Sequence, residues 1–343
     1  MIRELSVDEF LQQSAANLTL DVRSEGEFTH AHIPHATNLP LFNNEERAVV
    51  GTLYKQQGRN DAIQKGLEII GPKMAFFTQL VKEQIQNNKV FVHCWRGGMR
   101  SSSMAWLLNL MGWEVYVLKG GYKSYRNKVL EEIVLPRKYA LLGGFTGSGK
   151  TIVLQALKEN GEQVIDLEGL ANHKGSAFGA LGEDAQPSTE MFENLLHKSL
   201  NSLNNQKTIW VEDESKTIGT VYLENCFLQN IRQSPFYVVE IPFAERVETL
   251  VKSYGSFPVE ALEASIKKIN RRLGDQNCRE AITALAEGKI AAAAAITLRY
   301  YDKAYQFSLD KRKEKVSARL NFDKFDPHLI ATKLIAQNSL QKI

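Results

Sequence analysis

Residues 143 to 151 read Gly-Gly-Phe-Thr-Gly-Ser-Gly-Lys-Thr, and the part from Gly144 to Thr151 matches the P-loop pattern G-x-x-x-x-G-K-[ST]. The apolar run from Tyr139 to Leu142 predicts a buried strand before the loop, and the run from Ile152 to Leu157 predicts a helix after it. In a strand, loop and helix of this kind, backbone amides and the helix N-terminus face an anion. We therefore predict that the chain binds a diphosphate or a polyphosphate.

Each residue type in this loop has an expected task. The three glycines allow backbone with positive φ, the lysine neutralises the phosphate charge, and the threonine hydroxyl can hold a magnesium ion. We predict no other metal site. The predicted phosphate-binding residues are Gly144, Gly147, Ser148, Gly149, Lys150 and Thr151.

A second loop with anion-binding chemistry lies upstream. The run from Lys89 to His93 predicts a buried strand, which leads into Cys94-Trp95-Arg96-Gly97-Gly98-Met99-Arg100-Ser101 and the start of a helix. Backbone amides and two nearby arginines favour the thiolate form of a cysteine, so we predict Cys94 as a nucleophile with Arg96 and Arg100 binding an oxyanion. His93 precedes the cysteine on an apolar strand and is predicted to be structural, because adjacent strand residues point to opposite faces.

Length and composition bound the class of protein. A chain of 343 residues suits two domains, and the stretch from Glu131 to Arg137 is the predicted joint between them. With 43% hydrophobic and 24% charged residues, no apolar stretch approaches the roughly 20 residues that cross a bilayer, so we predict no membrane contact. The N-terminus lacks the apolar core of a signal peptide, which predicts the cytoplasm. The three cysteines have neither disulfide nor zinc spacing.

The first third of the chain resembles a rhodanese domain. The resemblance rests on Leu20 to Arg23, His32 to Pro34 and Ala36 to Pro40 before the Cys94 loop, and on Val115 to Tyr122 after it. It implies a rhodanese-like α/β domain over residues 1–130. The usual rhodanese loop has its arginine five positions after the cysteine.

Arg100 lies six positions after Cys94, which is the spacing of dual-specificity cysteine phosphatases and predicts a larger anion. The sequence assigns no carboxylate general acid. A cysteine phosphatase fused to a nucleotide-binding switch or a kinase-like domain therefore stays as an alternative function.

The whole chain resembles the bacterial tRNA 2-selenouridine synthases. The resemblance is carried by both loops, by Asp166 to Gly179 and by Glu212 to Gly219. It implies exchange of sulfur for selenium at the wobble 2-thiouridine of tRNA, with selenophosphate as donor, and attachment of a geranyl group to that sulfur from geranyl diphosphate. A selenophosphate-supplying enzyme is then a candidate partner. Whether ATP also occupies the P-loop stays open, as does a persulfide-like adduct on Cys94.

Two further segments are candidates for the site around the P-loop. Glu212 and Glu214 follow the apolar run from Thr208 to Val211, where P-loop proteins place an acid linked to magnesium. The glycine-rich segment after the predicted strand from Gln163 to Ile165 is expected to face the substrate. Its candidate residues are His173, Lys174 and Ser176.

The C-terminal part is predicted to be helical from about residue 246 to 343 and is basic. Between residues 246 and 320 there are 15 Lys or Arg and 9 Asp or Glu, whereas the whole chain has a net charge of only +3. Such a surface suits a phosphate backbone, and the tyrosines at 300 and 301 could stack on bases. Arg271 and Arg272 could instead form a lid over the diphosphate. The predicted tRNA-binding residues are Lys267, Lys268, Arg271, Arg272 and Arg299.

The predicted architecture is therefore an N-terminal rhodanese-like α/β domain over residues 1–130, followed by a P-loop NTPase-like parallel-sheet domain over residues 137–343 with a helical C-terminal region.

Overall fold

A computed structural model of the chain describes residues 1–340. The chain divides into two compact units. The first contains Met1–Ile133 together with Glu193–Lys198, and the second contains the remaining described residues. The point of division after Ile133 lies inside the predicted joint, whereas the return of a short segment to the first unit was not predicted.

The first unit is built on a five-stranded sheet with the order β1-β5-β4-β2-β3, in which every pair of neighbouring strands is parallel. Parallel strands need crossover helices, and these follow the strands in the chain. The elements are β1 (Ile2–Leu5), α1 (Val7–Ser14), β2 (Leu18–Asp21), α2 (Glu25–His30), β3 (Thr37–Asn38), α3 (Asn44–Gln56), α4 (Arg59–Ile70), α5 (Met74–Gln84), β4 (Lys89–His93), α6 (Met99–Leu110), β5 (Glu114–Leu118) and α7 (Gly121–Ile133).

Local signals define the helix starts in this unit. Ser6, Ser24 and Asn43 each form a capping box with a glutamate three residues later, which satisfies amides that the first helical turn leaves unpaired. One core joins the sheet to α5 and α6, with Phe77, Val92 and Met104 buried in it. Helices α3, α4 and α5 form an insertion between β3 and β4, and they pack only part of their apolar surface against this core.

The second unit has its own five-stranded parallel sheet with the order β12-β11-β6-β8-β7, and a separate two-stranded antiparallel ribbon. The elements that follow Ile133 in the chain, as far as α11, are β6 (Tyr139–Gly144), α8 (Lys150–Glu159), β7 (Gln163–Ile165), α9 (Leu167–Leu170), α10 (Thr189–Asn201, of which Glu193–Lys198 belong to the first unit), β8 (Ile209–Glu212), β9 (Thr217–Ile218), β10 (Val221–Tyr222) and α11 (Asn225–Arg232). Every residue of β6 is buried. The carboxyl end of this central strand is where open α/β sheets bind ligands.

The chain continues with β11 (Phe236–Glu240), α12 (Phe243–Tyr254), α13 (Val259–Lys268), α14 (Asn270–Leu273), α15 (Asp275–Ala286), α16 (Ile290–Asp310), β12 (Val316–Asn321) and α17 (Pro327–Leu340). Leu262, Ile266 and Leu285 lie in a separate hydrophobic core formed mainly by α13 to α16. The predicted helical region is therefore confirmed for its larger part.

Strand β12 is a correction to that prediction, because it pairs with β11 and completes the sheet. Half-buried and exposed residues alternate along this edge strand, and such a short segment without a buried face is easily taken for helix surface. Within residues 1–340, no helix combines the length and the apolarity needed to span a bilayer.

Candidate active sites in the two units

The Cys94 loop connects β4 to α6 and is braced by a second glycine turn. The amides of Tyr122 and Lys123 donate to the carbonyls of Cys94 and Trp95 at 2.8 and 2.9 Å. Gly121 has φ +62°, and a Cβ there would meet Cys94 O and lie 2.5 Å from Gly97 N. The loop and the turn can approach this closely only because Gly97 and Gly121 both lack side chains.

The Cys94 thiol lies at the N-terminal end of α6. It is 3% exposed, and its Sγ is 3.2 Å from Ser101 Oγ on the first turn of the helix. Ser101 Oγ in turn donates to Gly98 O at 3.0 Å. The thiol is thus enclosed by the loop and by the helix terminus, which is the favourable end of the helix dipole for an anion.

The two predicted arginines have different surroundings. Arg100 Nη1 donates to Glu27 Oε2 at 2.9 Å, and Arg47 Nε lies 2.7 Å from the same oxygen. Burial favours the neutral form of Glu27, but the hydrogen bond and charge of Arg100 outweigh it and lower the pKa of the carboxyl. Arg96 is exposed and makes no ion pair with any residue in the range 1–340. Arg96 is therefore available to an incoming anion, while Arg100 is held in place beside the loop.

His93 is fully buried, and neither ring nitrogen has a hydrogen-bond partner among the described residues. Its Nδ1 lies 3.8 Å from Asp21 Oδ1, but burial dominates and lowers the pKa of the ring. The neutral ring packs against Phe10 and Tyr122. These surroundings are those of a core residue.

In the second unit the P-loop connects β6 to α8. Gly147 and Gly149 have φ +79° and +70°, as predicted. The prediction of positive φ at Gly144 is wrong. Glycine is needed there for space, because a Cβ would lie 2.5 Å from Ser148 Oγ and 3.0 Å from Val239 O. Ser148 Oγ is buried and has no hydrogen-bond partner among residues 1–340.

Three glutamates from two segments of the chain, Glu168 in one and Glu212 and Glu214 in the other, meet beside the P-loop. Thr151 Oγ1 donates to Glu168 Oε2 at 3.1 Å, and Glu168 N donates to Glu212 Oε1 at 2.8 Å. The side chains of Glu168 and Glu214 are hydrogen-bonded to each other. Burial and then the neighbouring charges raise the pKa of Glu212 well above its usual value and that of Glu214 to about 8.

This arrangement provides a test of the predicted magnesium site. No three His, Cys, Asp or Glu side chains in the range 1–340 are arranged as a metal-binding group. Magnesium usually takes only one or two protein oxygens and completes its shell with water and phosphate oxygens. The Thr151 hydroxyl and the Glu168 carboxylate, 3.1 Å apart, fit that limited requirement.

A cavity of about 560 Å³ begins at the P-loop and extends between the helices of the C-terminal region. One end is polar and is formed by the P-loop with Glu168, Glu214 and Arg232. The other end is formed by α12, α13, α15 and α16 and is mainly apolar. The apolar wall includes Leu250, Leu262, Ile266, Leu285, Ala293 and Leu298.

Two family models match the chain. Residues 6–128 match the rhodanese-like domain, and residues 137–258 match the "tRNA 2-selenouridine synthase AAA domain". The chain is 32% identical over 349 aligned residues to the tRNA 2-selenouridine synthase of Sulfurovum sp. (strain NBC37-1), and the alignment covers 90% of this chain and 93% of the relative. This chain belongs to the tRNA 2-selenouridine synthase family.

A crystal structure of an N-terminal domain from Clostridium difficile 630 is 40% identical over 37% of this synthase-family chain and 98% of the other, with a TM-score of 0.34. The family models confirm the predicted rhodanese and P-loop parts.

Several residues of the cavity in this synthase-family member escaped the sequence analysis. Glu168 was not predicted as a site residue, although it hydrogen-bonds to Thr151 and to both predicted glutamates. Arg312 was counted among the RNA-binding charges, but it makes two 2.7 Å hydrogen bonds to Asp213 and lines the cavity. Tyr301, which the sequence analysis placed among residues that could stack on bases, lines the cavity, where its hydroxyl accepts a hydrogen bond from Ala177 N at 3.1 Å. Residues that lie far apart in the sequence but meet in the fold leave no local sequence pattern for such contacts.

The predicted substrate-facing segment contributes two of its three candidates to the cavity. Lys174 and Ser176 line it, whereas His173 does not. Lys174 Nζ also pairs with Glu183 at 2.7 Å. Burial lowers the pKa of His173, and its Nδ1 is buried without a partner among residues 1–340.

The predicted tRNA-binding residues of this family member are exposed. They are Lys267, Lys268, Arg271, Arg272 and Arg299. Lys267 pairs with Glu263 on the same helix at 2.5 Å. None of these five residues lines the cavity, so the structure does not support the prediction that Arg271 and Arg272 form a lid over the diphosphate. Their contact with tRNA stays a prediction.

Proposed function

We propose that this protein converts the wobble 2-thiouridine of tRNA to 2-selenouridine in two steps, geranylation of the sulfur followed by its replacement with selenium. Membership of the synthase family supports the overall conversion. The observation that carries the two-step proposal is the cavity of about 560 Å³ in the second unit. Its polar end is the P-loop, and its apolar end, here called the apolar chamber, has the character needed to hold a hydrocarbon chain. A diphosphate attached to a branched hydrocarbon chain has the same two parts.

In the first step the P-loop holds geranyl diphosphate by its diphosphate group. The thiouridine sulfur attacks the carbon that bears the diphosphate, so that a C–S bond forms, a C–O bond breaks, and the proton at N3 of the base is released. Lys150 and the loop amides stabilise the charge that builds on the departing diphosphate. A magnesium ion held by Thr151 and Glu168 would supply further positive charge.

The apolar end of the cavity favours a prenyl chain over a nucleoside. Leu262, Ile266 and Leu298 offer no hydrogen-bond partners to ribose hydroxyls or ring nitrogens, and burying such groups unpaired is costly. A geranyl chain would instead gain free energy by leaving water, at about 0.8 kcal/mol for each buried CH₂. We therefore propose geranyl diphosphate, rather than ATP, as the ligand of this site.

In the second step the Cys94 loop binds selenophosphate, with its oxyanion on the loop amides, Arg96 and Arg100. Selenium forms a bond to C2 of the base, the C–S bond breaks, and the geranyl group departs as its thiol with the proton that selenium carried. Water then cleaves the Se–P bond, which gives selenouridine and phosphate. Selenium is already reduced in selenophosphate, so an S–Se adduct on Cys94 would need an oxidant. We propose instead that the Cys94 thiol relays the proton from selenium to the departing sulfur.

The test is mass spectrometry of nucleosides from 2-thiouridine tRNA incubated with the protein, geranyl diphosphate and selenophosphate, with each donor omitted in turn. Geranylated thiouridine should form without selenophosphate, and selenouridine should form only with both donors. Unchanged thiouridine, together with hydrolysis of phosphoesters, would instead favour the cysteine phosphatase alternative. Selenouridine formed without geranyl diphosphate would overturn the order of the two steps.

A further inference from the structure

The first unit contains a second cavity of about 900 Å³ that the two proposed steps do not yet use. It lies between the helical insertion formed by α3, α4 and the start of α5 and the outer face of α6. Most of its wall is apolar. The apolar wall includes Tyr54, Leu67, Met74, Trp106 and Leu107.

The wall of this cavity leaves large apolar side chains open to solvent. Leu67 is 60% exposed, and Tyr54 and Trp106 are each 54% exposed. Scattered apolar residues are ordinary on a protein surface, but a group that converges on one cavity is typical of a binding site for an apolar ligand. The insertion therefore provides a concave apolar surface in addition to the core that it helps to cover.

One edge of the same cavity is the beginning of the Cys94 site. Met99, Arg100, Ser102 and Ser103 line it from the first turns of α6. The residue between them, Ser101, is the one whose hydroxyl lies 3.2 Å from Cys94 Sγ. An apolar chain in the cavity could thus be joined to a group that reacts at the Cys94 loop.

The polar residues at this edge carry a net positive charge. Arg47 and Arg100 both line the cavity, and both pair with the single carboxylate of Glu27. Lys55 adds a third cation to the lining. The ligand that fits this combination has an apolar chain and an anionic body, as a prenylated RNA does.

We infer that this cavity holds the geranyl chain of S-geranyl-2-thiouridine while its sulfur is replaced by selenium. The inference rests on the proposed function, because only that sequence of steps delivers a geranylated tRNA to the Cys94 loop. The geranyl group then has a second role, because its binding in this cavity allows the protein to recognise the modified nucleoside. The chain then leaves this cavity as geranyl thiol.

The experiment presents the full-length protein and selenophosphate with two pre-alkylated tRNAs, one with S-geranyl-2-thiouridine and one with S-methyl-2-thiouridine. The wild-type protein should exchange the geranyl substrate at least about tenfold faster, as kcat/KM, than the methyl substrate. Ala48→Trp, which places a large side chain in the cavity wall, and Trp106→Ala, which removes one, should each lower that preference. Leu110→Ala is the matched control, because Leu110 is an exposed apolar residue of α6 outside the cavity.

The outcomes separate this inference from the proposed function. Both variants should keep wild-type rates with the methyl substrate and in geranylation of 2-thiouridine tRNA, which also reports that they are folded. No selenouridine from either substrate with the wild-type protein would contradict the proposed function itself. Exchange at equal rates for both substrates, or unaltered preference in both variants, would overturn only the cavity assignment. So would a change in native mass caused by Trp106→Ala, since that would mark the surface as a contact between protein chains.

Discussion

In each unit a strand of a five-stranded parallel sheet runs into a glycine-containing loop and then into a helix, β4 to α6 in the first unit and β6 to α8 in the second. Both loops present backbone amides and a helix N-terminus. Their surroundings differ in charge. The Cys94 loop has Arg96 and Arg100 beside a thiol, whereas the P-loop has Lys150 beside three glutamates.

Under the proposed function, this difference lets two similar loop backbones serve two different reactions. Arginines with a nearby thiol suit an anion that must react while it is bound. Lysine, threonine and a carboxylate suit an anion that must leave, because Thr151 and Glu168 would hold a metal ion against the departing charge. The two loops also differ in what lies next to them: a glycine turn packs against the first loop, and an apolar chamber lies behind the second.

The most direct test of separate roles for the two loops is to remove the thiol. Cys94→Ala should lower selenation of S-geranyl tRNA by about a hundredfold to ten-thousandfold, because it removes the proposed proton relay. Geranylation of 2-thiouridine tRNA should remain within about twofold of the wild type. Both rates are measured in single turnovers by nucleoside mass spectrometry, with Cys226→Ala as the control because Cys226 is a free and exposed cysteine of the second unit. Equal loss of both activities would show that the two loops act as one site.

The converse experiment changes the cation of the second loop. Lys150→Ala should slow geranylation by roughly a hundredfold to a thousandfold, the usual effect of losing one group that stabilises developing charge. Selenation of tRNA that is already geranylated should not change. Lys158→Ala is the control, since Lys158 is an exposed lysine of the same helix. A Lys150 variant that fails with pre-geranylated tRNA would mean that the P-loop also serves the selenium step.

The smallest expected effect is on the pH dependence of the free energy of unfolding, to which the Glu214 carboxyl should contribute. Burial and the charge of Glu168 raise the pKa of Glu214 to about 8. The folded protein therefore retains a proton that the unfolded chain loses at lower pH, and this carboxyl contributes stability at acidic pH that is lost as the pH rises toward 8. The slope is at most about 1.4 kcal/mol per pH unit.

Glu214→Gln should remove that part of the dependence, because an amide does not titrate. Urea unfolding of the metal-free protein between pH 5 and 8.5 measures it, with Glu83→Gln on the surface of the first unit as the control. Wild-type and Glu214→Gln proteins with parallel stability curves would show that this carboxyl is ionised throughout the range.

The sequence predicted the local structure of both candidate sites, because their strand, loop and helix are consecutive in the chain. The P-loop residues from Gly144 to Thr151 and the loop from Cys94 to Arg100 could be recognised because strand, loop and helix follow one another in the chain. The same holds for the parallel architecture, since strands that alternate with helices are joined by crossovers. The roles of the residues in both loops stay predictions.

The chamber behind the P-loop could not be predicted, because its wall comes from helices spread over residues 243–310 whose periodicity indicates burial but not the space between them.

The count of charged residues was also misleading for one arginine. Arg312 adds to the basic excess of the sequence, but in the fold its charge is matched by Asp213. A count of residues cannot distinguish an arginine that faces RNA from one that is paired in a cavity.

Helix α16 contacts both ends of the ligand site, and this has a consequence for selectivity. Its residues Ala293 and Leu298 line the apolar chamber, and its Tyr305 hydroxyl accepts a hydrogen bond from the Gly144 amide of the P-loop at 2.9 Å. A chain too bulky for the chamber would displace this helix and with it the partner of that amide. Under the proposed function, helix α16 therefore couples the size of the hydrocarbon tail in the chamber to the geometry of the P-loop.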